Sequence, residues 1–458
     1  MHESFLHFIW QRQYFNRSAL QTSDLESIEV LSPGVLNRNQ GPDFLDARIR
    51  IGATCWCGPV ELHIRSSDWQ RHGHHGDPHY GNVILHVVWE HDADSPRGIP
   101  VLELSGRIPR VMEDTYLGWM RNLSRIPCER ELVRQGLRPS AGWLRKLLTE
   151  RLERRADEIE ARIAGASGDR ETVFWWQLAR CFGHRVNADA FEEMARSLPL
   201  SLIGRHRSAV QQIEALLLGQ CGLLEVKPLD PYVALLQREY RFLKHKCGLH
   251  PVRTPVKYLR MRPHNFPTVR LAQLAMLLHR QDRIFPMMMD LTDLHEVFRI
   301  LTVTANDFWH YHYRLERPSA FLEKTLGREM VGNILINAVL PFRYLQARQR
   351  ADAEGRDRVM EWLSQLEPEA NVAVRVFLDG RQRAASAAET QALLEQEREY
   401  CARRRCLECD VGQRLMSAPG TSGLQPEPCQ SRNSSALDLG RNRSSHLKPV
   451  SSLLSDGI

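Results

Sequence analysis

The chain lacks any run of about 18 apolar residues, so the sequence predicts no membrane-spanning helix. Its first residues lack the basic start, apolar stretch and small-residue cleavage site of a signal peptide, so we expect a cytoplasmic protein. No unit of about 30 to 45 residues recurs, which argues against a solenoid. The sequence also has no large excess of charge of either sign. The 61 basic and 55 acidic residues give a net charge of +6, which permits an anionic partner such as DNA or RNA without requiring one.

The 458 residues divide into three regions by pattern. Residues 1–125 begin with a helical spacing and continue with strand candidates, which predicts an α/β or α+β sheet domain. Turns are predicted at Gly and Pro signals such as Gly41-Pro42 and Gly58-Pro59. Residues 126–413 show helical periodicity and predict a large α-helical domain, in which Ser140 caps a helix through residue 163. Residues 414–458 are rich in small and polar residues and predict a disordered tail. The strand candidates are 26–31, 44–51, 58–65, 82–90 and 99–104.

Acidic and basic side chains concentrate on two consecutive strand candidates. Strand alternation places Glu61, His63 and Arg65 on one face, and Asp43 enters from the preceding strand. Two carboxylates suit Mg²⁺ or Mn²⁺, because hard cations prefer oxygen ligands. An adjacent cation could then stabilise the charge that develops on a phosphate. The sequence therefore predicts a metal site at Asp43 and Glu61.

Pro42-Asp43 followed by Glu61-Leu62-His63 resembles the motif of the PD-(D/E)XK nuclease superfamily. The resemblance implies a metal-dependent nuclease that hydrolyses phosphodiester bonds in DNA or RNA. It also implies that Asp43 and Glu61 hold the metal. His63 stands where that superfamily has a lysine; it would orient or deprotonate the attacking water, and Arg65 would neutralise the phosphate.

Other interpretations of the same residues stay open. Asp43 could cap a turn and Glu61 could pair with Arg65 on a solvated strand face, which would make the chain a non-catalytic scaffold that binds nucleic acid or protein. The loop after Asp68 carries several histidines and could instead form a zinc hydrolase site through His72, His74 or Asp77, although no pair has the spacing of a zincin helix. These loop histidines could also contact substrate phosphates or simply face solvent.

Three cysteines cluster near the end of the helical region: Cys401, Cys406 and Cys409. In a reducing compartment, such spacing favours metal ligation or free thiols over disulfides. Zinc and iron–sulfur clusters generally take four ligands, and Cys128, at the start of the helical region, is the candidate for the fourth. Such a site would close a long loop of the chain, and it resembles the iron–sulfur staple of some PD-(D/E)XK nucleases.

Several short sequence segments, spread along the chain, carry a second resemblance. They include Phe8-Ile9-Trp10-Gln11, Gly41-Pro42-Asp43-Phe44, the stretch Glu214–Gln220, Arg262–Pro267 and Phe308–Tyr313. Together they are similar to a bacterial family known only as a domain of unknown function, over about residues 1 to 413. This resemblance implies no activity.

Overall fold

A computed structural model describes residues 2–94, 98–259, 261–378 and 383–417. The helices of the first half are α1 Glu3–Arg12, α2 Asp68–Arg71, α3 Arg110–Arg121, α4 Glu129–Gln135, α5 Ala141–Gly165, α6 Arg170–Phe182, α7 His184–Ser197, α8 Leu200–Arg205 and α9 Val210–Gln220. The later ones are α10 Pro231–Cys247, α11 Pro267–Arg280, α12 Ile284–Asp290, α13 Leu294–Leu301, α14 Asp307–His310, α15 Arg328–Ile334, α16 Leu340–Gln349, α17 Ala353–Gln365, α18 Ala387–Glu395 and α19 Asp410–Met416. Two π-helical segments, Leu335–Val339 and Gln396–Cys401, join or extend them.

One mixed sheet forms the N-terminal region. Its strands are β1 Ile28–Ser32, β2 Val35–Leu36, β3 Phe44–Ile51, β4 Thr54–Arg65, β5 Leu85–Glu90 and β6 Val101–Glu103. The main order is β1-β3-β4-β5-β6, and β2 pairs with β3. The pairs among β1 to β4 are antiparallel, whereas β5 and β6 join in parallel. A further hairpin, β7 His312–Arg314 and β8 Arg317–Pro318, lies among the later helices.

The five predicted strands and the switch to helices after them are present. The sheet domain followed by helices is thus confirmed as an α/β architecture. Gly58-Pro59, however, lies inside β4 and does not form the predicted turn. Pro59 has no N–H to donate, but it precedes the first residue of β4 that pairs with β5, and its carbonyl accepts from the N–H of Ile84. The proline therefore costs the sheet no ladder bond.

The long predicted helix is also present. It spans Ala141–Gly165, and the hydroxyl of Ser140 accepts the N–H of Trp143 as its N-cap. The predicted tail begins too early, because residues 414–416 belong to α19, whose Leu415 and Met416 are buried. The rest of the tail lies outside the described residues. Among the described residues, every helix is too short or too polar to cross a bilayer.

Buried side chains form one continuous core from Phe5 to Met416. Helix α1 packs against β4 and against the turn that begins at Cys406. The sheet and the C-terminal cysteine segment therefore both pack against α1. Strand β4 lies in the middle of the sheet, and a loop covers one of its faces. That loop follows α2 and carries the histidines of the site.

Candidate metal centre

Asp43 and Glu61 are fixed beside each other where the chain enters β3. Gly41 takes a φ of +103°, a left-handed conformation that favours glycine, and so turns the chain into Pro42-Asp43. The Asp43 carboxylate accepts the N–H of Leu62 at 3.0 Å, and the Asp43 N–H donates to Oε2 of Glu61 at 3.0 Å. These reciprocal hydrogen bonds hold both carboxylates at one end of the β3–β4 pair.

His63 lies two residues beyond Glu61 and only 1% of it is exposed. Its Nδ1 atom is 2.8 Å from Nε2 of His86, which β5 places directly beside β4. Its Nε2 atom is 3.2 Å from Nδ1 of His72. Both ring nitrogens of His63 are therefore engaged, and Nε2 points toward the covering loop.

The covering loop brings two more imidazoles to Glu61 and His63. The Asp68 carboxylate accepts the N–H of Arg65, which starts the short helix α2 immediately after β4. Trp69 then packs into the protein, and the loop folds back so that the ring of His74 stacks on Tyr80 at 3.8 Å between centroids. The Nε2 atom of His74 reaches to 3.3 Å from Oε1 of Glu61.

His63, His72 and His74 each offer a ring nitrogen within 4.8 Å of the other two, and they are the one such group of three among the described residues. Oε1 of Glu61 lies 3.6 Å from Nε2 of His63. Ligands about 2.0–2.1 Å from one tetrahedral ion are separated by about 3.3 Å. The spacings of 3.2, 3.3 and 3.6 Å are close to this separation, and Oε1 of Glu61 lies against two of the three imidazoles, those of His63 and His74.

The electrostatics of the cluster disfavour charge on its members. Burial, together with the charge of Asp43, raises the pKa of Glu61 to about 9. Burial and the neighbouring imidazoles lower the pKa of His63 to about 2 and that of His86 to about 4. Neutral imidazoles keep the lone pairs that metal ligands need. The imidazoles of the cluster thus stay available as electron-pair donors.

Two predicted site residues take other positions. Asp43 does not contact the imidazoles of the covering loop but lies 3.1 Å from Nε2 of His7 on α1. The Arg65 side chain is more than half exposed and lies 3.6 Å from Glu90 at the end of the adjacent strand. Arg71, paired with Asp68 at 2.8 Å, is the cation whose charge reaches His63.

All four predicted cysteine ligands are buried. Burial and the charges of Cys409, Cys401 and Cys406 raise the pKa of Cys128, which places the four thiols within electrostatic range of one another. Cys401 accepts from Gln396 and Cys409 accepts the N–H of Gly412. No three of the sulfurs lie within 4.8 Å of one another, although about 3.8 Å separates thiolates around a tetrahedral zinc.

The segments around these cysteines are tied together by arginines. Arg125 pairs with the buried carboxylate of Glu397, and Arg404 donates to the carbonyls of Asn122 and Ser124. These contacts join positions about 270 residues apart in the chain. The end of the helical region is therefore joined by ion pairs and hydrogen bonds to the segment that contains Asn122, Ser124 and Arg125.

Sequence reasoning did not assign His72, His74 and His86 to one site with His63. The signal available was the density of histidines just after a strand that already carried Glu61 and His63. Their spacing follows no helical ligand motif because the ligands come from a strand and an irregular loop. Only the fold of that loop brings them together.

The sheet, the helical region and the histidine–carboxylate cluster define a mixed α/β protein with a candidate metal centre. A model of the family described as "Protein of unknown function (DUF2851)" matches residues 3–372, and the chain belongs to this family. Neither a curated protein nor a solved structure matches the chain.

Proposed function

We propose that this protein is a metal-dependent nuclease that hydrolyses phosphodiester bonds in DNA or RNA, with its metal held by Glu61, His63, His72 and His74. The observation that carries the proposal is the group of three imidazoles at ligand spacing beside β4, with Oε1 of Glu61 3.3 Å from His74 and 3.6 Å from His63. His72 is exposed, so the cluster opens toward solvent on one side. An open side is what a catalytic metal needs to receive water and substrate.

The donor set favours a first-row transition metal such as Mn²⁺ or Zn²⁺ over Mg²⁺. Imidazole nitrogen suits transition metals, whereas Mg²⁺ takes oxygen ligands and keeps most of its waters. The contact between His63 and His86 is of the kind that orients a ligating imidazole from behind. The Asp43 N–H does the same for Glu61 by holding its second oxygen.

A bound ion would acidify a water and supply the nucleophile at neutral pH. In this arrangement His63 serves as a ligand, because its two nitrogens face His86 and His72 and leave none to deprotonate water. Asp43 keeps Glu61 in place and adds negative charge behind it. Arg71 is the nearer candidate for contact with a substrate phosphate, since Arg65 pairs with Glu90.

The assignment to nucleic acid rests on the order of the elements around the cluster. A helix followed by antiparallel strands, with Pro-Asp at the start of β3 and Glu-x-His on β4, agrees with what the PD-(D/E)XK resemblance implies. This agreement supports the nuclease proposal.

Cleavage of labelled single- and double-stranded DNA and RNA tests the proposal directly. We expect the full chain to cut at least one substrate with Mn²⁺ or Zn²⁺ and to cut less with Mg²⁺. Glu61→Ala and Glu61→Gln should each lower the cleavage rate more than about 100-fold, because a ligand contributes at least as much as the residues that orient it. Asp43→Ala should reduce it as well.

His79→Ala is the matched control, since the exposed His79 lies on the same loop but pairs with Asp77 rather than with Glu61 or the three imidazoles. It should cut like the wild type. If metal-replete wild type cuts nothing, or if Glu61→Gln cuts at the wild-type rate, the nuclease proposal is wrong. Salt-dependent nucleic-acid binding without turnover would then favour the scaffold interpretation.

We also propose that Cys128, Cys401, Cys406 and Cys409 hold a second, structural metal centre. What supports it is that four buried thiols from two distant segments lie within electrostatic range of one another. Their spacing is wider than a single zinc ion requires, which favours the larger iron–sulfur cluster. Protein purified without oxygen should be brown and lose its colour in Cys406→Ser. A colourless, zinc-free and iron-free wild type would contradict this.

A further inference from the structure

A cavity of about 270 Å³ in the helical region carries two buried cations without a carboxylate partner. Arg270, on the first turn of α11, is 6% exposed, and Lys324 is 3% exposed. Among the described residues, neither has an Asp or Glu oxygen within 4.0 Å of its charged nitrogens. Buried charges are normally paired, so two unpaired ones lining one cavity call for an explanation.

The hydrogen bonds of these cations leave donors unused. The guanidinium of Arg270 donates to Oε1 of Gln273 at 2.9 Å and to the side-chain oxygen of Asn265, while its buried Nε–H has no partner. The ammonium of Lys324 donates to two carbonyls and lies 3.9 Å from the centre of the Tyr313 ring. Both cations thus donate hydrogen bonds to uncharged oxygens, which do not balance their positive charge.

The remaining lining fits an anion that enters from solvent. His264 is exposed at the mouth and His184 is half-buried, so two imidazoles add to the donors. Glu323 and Glu329 also line the cavity; both residues are exposed, and the charge of Glu329 reaches Arg270. The buried side chains of the lining thus include two cations, whereas its carboxylates belong to exposed residues.

We propose that this cavity is a binding site for the phosphate group of a phosphate monoester. A phosphate offers three oxygens to several donors at once, as arginine together with lysine commonly provides, whereas a carboxylate offers two. A second cavity of about 450 Å³ shares His184 and Glu329 with the first and has Arg328 and Arg383 in its lining. It provides room for the rest of the molecule that bears the phosphate. The inference does not depend on the nuclease proposal.

The test measures thermal unfolding and calorimetric binding of the full chain with three probes. These are inorganic phosphate, a nucleoside 5′-monophosphate, and a short oligonucleotide that is compared with and without its 5′-phosphate. We expect saturable binding and a rise in the unfolding temperature with the first two probes and with the 5′-phosphorylated oligonucleotide, but not with the oligonucleotide that lacks a 5′-phosphate. The probe that binds most tightly tells a small metabolite from a nucleic-acid end.

Three variants locate the binding. Arg270→Gln should abolish phosphate binding, and His264→Asn should weaken it about tenfold because one donor is lost. His264 is exposed, so its substitution should not disturb the fold. Arg262→Gln, an exposed arginine on the same loop outside the cavity, should bind like the wild type. Glu61→Gln should also bind normally, which separates this site from phosphate attached to the metal centre.

Two results overturn the proposal. One is the absence of saturable binding for all phosphate probes. The other is binding that persists in Arg270→Gln or that sulfate and chloride reproduce at equal ionic strength. Should Arg270→Gln fail to fold, His264→Asn decides, because it must weaken phosphate binding while leaving the unfolding temperature without phosphate unchanged.

Discussion

The Nε2 atom of His63 and the Nδ1 atom of His72 lie 3.2 Å apart, although one comes from a buried strand and the other from an exposed loop. His74 belongs to the same group, and Oε1 of Glu61 lies 3.3 Å from His74 and 3.6 Å from His63. These distances are close to those between the ligands of one tetrahedral ion.

His86 should act as a positioning residue for the metal. It is fully buried, and its Nε2 atom holds Nδ1 of His63, so His86→Phe should lower metal affinity about 10- to 100-fold. Calorimetric titration with Mn²⁺ measures the change. His86→Gln, which can still hydrogen-bond His63, should recover part of the affinity. If His86→Phe binds Mn²⁺ like the wild type, the positioning role is wrong.

Glu395 should be among the most sensitive positions for stability in the helical region. Its carboxylate is 2% exposed and pairs with Arg151 at 3.3 Å and with Arg154 at 2.7 Å, which joins α18 to α5. Glu395→Gln would leave Arg151 without a carboxylate partner and Arg154 with only the exposed Glu158, and it should cost about 3–5 kcal/mol in the free energy of unfolding. Urea denaturation measures this.

The exposed pair between Arg145 and Asp357, also formed by α5, gives the control for Glu395. Asp357→Asn should change the free energy of unfolding by less than about 1 kcal/mol, because exposed ion pairs are screened by water and salt. A loss in Glu395→Gln no larger than that of Asp357→Asn would show that the buried pair does not stabilise the fold as argued.

Stability should fall as the pH rises, in part because of Glu214. This residue is fully buried and accepts from Trp309 and Tyr232, and burial raises its pKa to about 8 from an ordinary value near 4.5. Between those values the folded chain binds a proton that the unfolded chain has released. The contribution of Glu214 to stability is therefore full below about pH 4.5 and is lost as the pH rises through about 8.

Urea denaturation between pH 5 and 8 tests this linkage. The free energy of unfolding of Glu214→Gln, which keeps a neutral side chain at every pH, should depend less on pH than that of the wild type. Equal pH dependence for both proteins would mean that Glu214 titrates normally in the fold.

The cysteine centre makes a prediction about cooperativity. If one metal group joins the four thiols, Cys128→Ser and Cys406→Ser should lower the unfolding temperature by similar amounts, and the double variant by little more. Cys181→Ser, a buried thiol outside the group, serves as the control. Its effect should add to that of Cys406→Ser. Additive losses for Cys128 and Cys406 would exclude a shared group.

Local patterns were enough to predict the strands and the long helices, because periodicity and caps such as Ser140 act within a few residues. The pairing of Asp43 with Glu61 was also within reach, since adjacent strands of a hairpin place their side chains together. The positions of His72 and His74 beside His63 could not be predicted, because the covering loop has no periodic pattern. The turn predicted at Gly58-Pro59 was wrong, because the missing N–H of Pro59 interrupts a strand only where the neighbouring strand needs that donor.

Pulsed electron paramagnetic resonance of the full chain with one equivalent of Mn²⁺ tests whether these imidazoles hold a metal ion. Mn²⁺ prefers oxygen and nitrogen donors, so the cysteines should not compete for it. The proposed centre predicts nitrogen couplings from coordinated imidazoles that persist in His79→Ala and weaken in a His72→Ala, His74→Ala double variant, in which His63 is the one remaining imidazole ligand. Mn²⁺ without nitrogen couplings, or couplings unchanged in the double variant, would contradict the metal centre.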